Sequence, residues 1–227
     1  MRPYPAGWGY NRVTGPDADS TAMSLKLHDA AGLPRLPEDE AWLLERWLPG
    51  GGVATYPGAG AWATAHNDVT AIAFMAFPER ERTARIQELT GYLHRTRQPD
   101  GTWPSYWWRT AHYATFYTGC LIRDLALAVP LPLLVVDQRE GYAVESALDL
   151  ALVVGIAGLI RHRALGELTK LLLSSQCEDG RWDGGPNLRV TSPTCWQPWR
   201  VPRGTLYVDE EGLITTATAI RVLGEIL

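Results

Sequence analysis

The 227 residues hold only three cysteines, Cys120, Cys177 and Cys195, too few and too scattered for a disulfide framework, so a reducing, cytoplasmic setting is expected. Positive charge is not in excess: 21 Lys and Arg stand against 25 Asp and Glu, and no basic stripe runs through the chain. Nucleic acid is therefore not expected as a partner. Long apolar runs are missing too. Residues 125–136 form a stretch of twelve that contains Pro130 and Pro132, and residues 150–160 a stretch of eleven. A spanning helix needs about 20, so neither is expected to cross a membrane. Surface contact by the first is the most that remains, and core burial is the plainer reading. The opening ten residues have no apolar segment of the kind a signal peptide carries, and no leader is expected.

Other absences narrow the chemistry. There is no Gly-x-Ser-x-Gly elbow and no catalytic cysteine–histidine signature, which leaves acyl-transfer hydrolysis without support. Cys177, Cys195 and His162 lack the spacing of a zinc site. The glycine-rich run from Pro49 to Gly60 lacks the Lys-Ser/Thr of a phosphate loop, and a flexible rim or lid is expected there. Phenylalanine is scarce, at three, against ten tryptophans and nine tyrosines. Large rings with a polar handle suit a ligand cavity or packing within repeated loops, and composition does not choose between them.

What is present is helical periodicity. It predicts helices over 19–32, 37–48, 67–77, 79–97, 109–128, 142–161, 164–176 and 211–226, with little sheet, since no run alternates with period two. Several helix starts share a polar group followed by a small hydroxyl residue, as at Asp19-Ser20-Thr21, Asp68-Val69-Thr70, Ala114-Thr115, Glu145-Ser146 and Thr215-Thr216. More charged, amphipathic helices alternate with these. An alternation of covered and amphipathic helices predicts an all-α fold, an α/α barrel of inner and outer helices, as one domain over 1–227. A plain helical solenoid is the competing architecture. Two turns share a further pattern: Gln98-Pro-Asp-Gly101-Thr-Trp103 and Gln176-Cys-Glu-Asp-Gly180-Arg-Trp182. Glycine turns the chain beyond a helix end, the ring is expected to lie back over that end, and the amide to bond groups the helix leaves open.

These two turns resemble the QW motifs of the squalene–hopene cyclase and class II terpene cyclase superfamily. Gly7-Trp8-Gly9-Tyr10-Asn11, followed by Asp17-Ala18-Asp19-Ser20-Thr21-Ala22, is similar to the Asp-x-Asp-Asp-Thr-Ala segment that carries the acid in those enzymes. Trp103-Pro-Ser-Tyr-Trp-Trp108 has the flavour of bacterial relatives. The resemblance implies acid-initiated cyclisation or isomerisation of an isoprenoid or other apolar substrate, with Asp19 as the acid and Asp17 tuning it. Ser20 replaces the last aspartate of the pattern, and the chain has room for one barrel where the family encloses its substrate between two. A homodimer, a partner subunit or a single-barrel site would each meet that shortage. No cofactor is implied; Mg²⁺ enters only if the substrate carries a diphosphate, a prenyltransferase-like reading in which Arg12, Arg109 and Arg161 would meet it.

Protonating an alkene needs a carboxyl kept protonated by burial and by a neighbouring carboxylate, with aromatic faces near the cation. Trp8, Trp107, Trp108, Tyr113 and Tyr117 are the aromatic candidates for substrate contact, since they lie near inner-helix starts. Asp68 repeats the position of Asp19, and His66 and His112 also sit at helix starts, where either could hold the proton of an acid. Each has a plainer reading: Asp, Ser and Thr before a helix are ordinary N-caps, and a lone histidine is usually a packed or surface residue. A binding module for a prenyl or other apolar ligand, or for a partner chain, is the alternative to an enzyme, and a non-terpene substrate the alternative within the enzyme reading.

Overall fold

Burial sorts the helices of this computed structural model into two kinds. The structure describes residues 4–11, 13–133, 144–200 and 206–226. Among them are α1 (Ala18–Ala30), α2 (Pro37–Leu44), α3 (Asn67–Ala76), α4 (Glu79–Thr96), α5 (His112–Asp124), α6 (Ala147–Leu159), α7 (Leu165–Ser174) and α8 (Leu213–Ile226). One short antiparallel ribbon joins β1 (Pro186–Arg189) to β2 (Leu206–Val208). The predicted helices all fall on these elements, trimmed at their ends. Arg12, residues 134–136 of the first apolar run, and 142–143 of the sixth predicted helix lie outside the described residues.

Nine of ten residues in α3 and ten of thirteen in both α5 and α6 are buried, whereas α4 buries only Leu89, Tyr92 and Leu93 of its eighteen. Helices covered on most sides must be apolar nearly all round, and those covered on one side keep a stripe, which is the inner and outer alternation expected. α1 and α8 depart from expectation. α1, expected as an inner helix from its start, buries only Ala18, Thr21, Ala22 and Leu25 of thirteen residues. α8 reads apolar on every side, yet it buries Thr215, Thr218, Ala219, Val222 and Leu223 and leaves Leu213 and Ile220 exposed.

Two compact units divide the chain. The first comprises Met1–Thr96 with Ser192–Trp196, the second Arg97–Thr191 with Gln197–Leu227. Within the first, α3 packs on α1 and α4, and α1 on α2; within the second, α6 packs on α5, α7 and α8.

The hydroxyl repeat has a definite task. In α1, α3, α5 and α8 the fourth residue is threonine, and its Oγ1 accepts a backbone N–H from the segment ahead of the helix: Thr21 from Trp8 at 2.9 Å, Thr70 from Val53 at 2.9 Å, Thr115 from Trp103 at 3.0 Å and Thr216 from Trp182 at 3.0 Å. α6 has Leu150 at that position, and there Ser146 caps the helix by accepting the Asp149 N–H.

The two glutamine turns behave alike at the backbone, with Gly101 N–H donating to Gln98 O and Gly180 N–H to Cys177 O, each at 2.9 Å. Both glycines are left-handed, at φ +85° and +87°, which only glycine adopts without strain. The Trp182 indole N–H donates to Leu172 O in the last turn of α7, at 2.8 Å, as expected of a ring folded over a helix end. The Gln176 amide differs from expectation: it donates to Gly180 O at 2.7 Å and so braces the turn itself. The glycine run is also unlike a loose rim at its start. A Cβ on Gly51 would lie 2.6 Å from Glu88 O, and one on Gly52 2.6 Å from the Ala65 methyl, so these residues are glycine because α4 and the next segment press on the backbone.

Candidate active site

At the start of α1 two carboxyl groups sit in different environments two residues apart. Asp17 is the N-cap, with the extended backbone such a position requires (φ −125°, ψ 159°). Its Oδ1 accepts the Ser20 N–H at 2.7 Å and its Oδ2 the Tyr10 N–H at 2.9 Å, and the residue is buried. Asp19, in the first turn, is held well above the usual carboxylate range. Burial is the main cause, followed by the charge of Asp17, a hydrogen bond to the Asp17 side chain, and the charge of Asp68. A hydrogen bond between two carboxyl groups requires a proton, and with Asp17 engaged by amides that proton belongs on Asp19. Asp19 is at the same time partly accessible.

The other acid expected from the repeat, Asp68, is the second residue of α3 and is buried. Its charge reaches Asp19, so the repeat position does bring the two together. His66 caps α3 but does so without its side chain. Its Nδ1 pairs with Thr55 Oγ1 at 3.0 Å and its Nε2 with Thr64 Oγ1 at 3.2 Å, and burial pushes its pKa down to about 4. It is a neutral imidazole held between two hydroxyls.

Trp8 is placed by backbone and ring together. Its carbonyl accepts the Asp17 N–H at 2.9 Å, and its indole N–H donates to Asp39 Oδ2 at 2.8 Å. Asp39 and Tyr56 are two residues of this neighbourhood that the sequence reading missed. Tyr56 lies on a hairpin-like excursion closed by the Ala54–Ala65 bridge and by Tyr56 N–H donating to Trp62 O at 3.1 Å. Thr55 O accepts the Ala18 N–H at 3.0 Å and so docks this excursion on the start of α1. The Tyr56 ring lies 5.2 Å from that of Trp62, tilted by 36°. Burial, then the charges of Asp17 and Asp19, push its phenol up, so it stays protonated. No local motif marks Tyr56; its proximity to Asp19 comes from the docking.

Trp107, Trp108, His112, Tyr113 and Tyr117 belong to the second unit. Trp108 stacks on Tyr113 at 4.0 Å and 11°, and Tyr113 meets Tyr117 at 4.5 Å. The Arg221 guanidinium sits 4.9 Å over the Tyr117 ring. Trp107 packs edge-on against Tyr106 at 5.0 Å, and its carbonyl accepts the Arg189 N–H from β1. His112 is the first, half-buried residue of α5. Arg109 is paired with Glu145, and Arg161 is exposed just past the end of α6. Asp149, a buried acid in this unit, accepts the Glu145 N–H at 3.3 Å and bonds the Thr110 hydroxyl, completing with Ser146 a reciprocal cap.

No family model matches the chain, and none of the curated proteins compared with it does. Solved structures do. The type II terpene cyclase MstE from Scytonema is 23% identical, with a TM-score of 0.74 over 96% of this chain and 75% of that one. A variant of MstE, in complex with geranylgeranyl dihydroxybenzoate as substrate, is 21% identical, with a TM-score of 0.78 over 97% and 76%. The ent-copalyl diphosphate synthase from Streptomyces platensis is 15% identical, with a TM-score of 0.62 over 96% of this chain and 43% of its own.

The fold is that of the type II terpene cyclases. At these identities the likeness speaks for the helical architecture alone. Among the described residues no helix is long and apolar enough to cross a membrane, and no three His, Cys, Asp or Glu side chains are grouped to hold a metal ion. Both Asp17 oxygens are taken by amide donors, a poor start for the DxD metal site that a diphosphate substrate would need.

Proposed function

We propose that this chain is a terpene cyclase-like enzyme that starts cyclisation or isomerisation of an isoprenoid-bearing metabolite by protonating a carbon–carbon double bond, with Asp19 as the acid. The observation that carries the reading is the unequal pair at the start of α1: Asp17 fixed by two amide N–H groups, and Asp19 beside it with its carboxyl pushed well above the usual range yet partly accessible. Pairs of carboxyl groups whose surroundings drive them apart are how proteins separate a proton donor from a charge stabiliser.

The step balances simply. The O–H bond of Asp19 breaks, the π pair of the terminal alkene forms the new C–H bond, and a tertiary carbocation remains. The next alkene of the chain attacks it to close a ring, and the last cation either loses a proton to solvent or takes up water and then loses one, after which Asp19 regains a proton from solvent. Asp19 is left as a carboxylate beside ionised Asp17, and this doubled negative charge stabilises the cation as it forms. Asp68 adds to the same field, and the Tyr56–Trp62 pair supplies aromatic faces next to the acid. Loss of the last aspartate of the family pattern, at Ser20, does not remove the donor, because Asp17 supplies the second carboxylate. The substrate of the Scytonema enzyme, a geranylgeranyl chain on a polar aromatic head, suggests the class to try first.

Incubation with geranylgeranyl dihydroxybenzoate, geranylgeranyl diphosphate and extracts of the source cells, followed by mass spectrometry, tests the reading. A product of unchanged mass, or of mass raised by one water, is expected with the wild type. Asp19→Asn should lower its rate by about 10²–10⁴-fold. Tight binding of a prenyl compound with no conversion would overturn the enzyme reading in favour of a binding module.

A further inference from the structure

Asp39 lies in the first turn of α2, a mostly exposed helix, yet it is only 1% exposed. Its Oδ1 accepts the Gly7 N–H at 2.7 Å and its Oδ2 the Trp8 indole N–H at 2.8 Å. Both donors belong to the segment that precedes α1. That segment touches the acid pair directly: Tyr10 N–H donates to Asp17 Oδ2 at 2.9 Å, and Trp8 O accepts the Asp17 N–H at 2.9 Å. The approach is tight enough to require glycine. Gly7 has φ +75°, and a Cβ there would lie 2.7 Å from Pro16 and 2.9 Å from the Trp42 ring.

We propose that Asp39 is a positioning residue for the Asp17–Asp19 pair: by holding Gly7 and Trp8 it keeps the Tyr10 amide on Asp17. The inference rests on the reading of Asp19 as the acid, but acts on the pair whether or not a substrate is known. Asp39 touches neither carboxyl; it works through residues 7–10. If that segment swings away, Asp17 loses one of its two amide donors and its charge is less well stabilised. Among the described residues, Asp68 from α3 and Tyr56 from the excursion between α2 and α3 also act on the pair or are acted on by it. Neither brings positive charge. The pair would then hold its protons more tightly, and Asp19 would release its proton to an alkene less readily.

Infrared titration of the intact 227-residue chain tests this, with the difference against Asp19→Asn isolating the carboxyl bands of the pair. Two variants unhook the segment. Asp39→Asn removes the charge, and Trp8→Phe removes the indole N–H while keeping a ring, so it decides the matter if the first does not fold. In both, the midpoint at which the pair takes up its second proton should move up by about one pH unit. The Tyr10 amide should exchange with solvent about tenfold faster. Equal midpoints in wild type and both variants would overturn the inference, whether or not Tyr10 exchange changes. Failure of the acid reading would look different: the wild type would then show no protonated carboxyl band of the pair at neutral pH.

Discussion

A buried carboxyl such as Asp19 costs stability to the protein that carries it. With its pKa held well above 3.8, Asp19 keeps its proton to higher pH in the folded chain than in the unfolded one, so folding takes up a proton in that window. For a group whose folded pKa is raised by burial, the penalty is absent below the ordinary value of 3.8 and grows as pH rises towards the folded value. Asp19→Asn keeps the shape and cannot ionise. It should therefore be inactive but more heat-stable than the wild type at pH 7, with its advantage in Tm shrinking as the pH is lowered towards 4. Equal Tm values for the two proteins across that range would mean that Asp19 is an ordinary exposed acid. Asp17 is a helix cap, as the plain reading of the Asp-x-Asp segment expects, and the proposed role as partner of the acid is compatible with that.

At the scale of elements, the repeated threonine is a latch between α1, α3, α5 and α8 and the segment before each. The hydroxyl accepts the Trp103 N–H in the interior. Thr115→Val keeps the volume and removes that acceptor, which should cost about 1–3 kcal/mol and lower Tm by several degrees. The acid pair, in the other unit, should titrate as in the wild type. The repeat was legible in the sequence as a recurring hydroxyl, but its use was not. Small size at the helix start is one explanation for such residues, and the structure instead gives the hydroxyl oxygen a specific donor. The same holds for Gln176, whose amide was expected at the helix end and braces its own turn.

For the molecule as a whole, the net charge of −4 sets no strong pH dependence of its own, and buried titratable groups decide it. His66 is neutral in the folded chain with a pKa pushed down from 6.5 to about 4. Its contribution is fully present above 6.5 and is lost as pH falls through the window down to about 4, because the unfolded chain binds the proton first. The slope from this residue approaches about 1.4 kcal/mol per pH unit. Denaturant unfolding of wild type and His66→Gln over that window isolates it: the wild type should lose stability relative to the variant on acidification, and the difference should level off near the lower limit. Asp19 acts in the opposite sense over the same range, so the wild-type curve alone would show only their sum.

Periodicity, turn residues and charge were enough to determine the helical class and the position of all eight helices found among the described residues, and to single out the Asp17–Thr21 segment as a candidate site. These are local properties: a helix shows its buried face through the spacing of its apolar residues, and a cap shows itself by residue type. Tertiary structure alone decided which groups meet. Tyr56 and Asp39 carry no motif, and only the docking of the Tyr56 excursion on the start of α1, and of residues 7 and 8 on Asp39, brings them into this neighbourhood. Burial, a property of three dimensions, is also the main cause that raises the Asp19 carboxyl above an ordinary aspartate at a helix start.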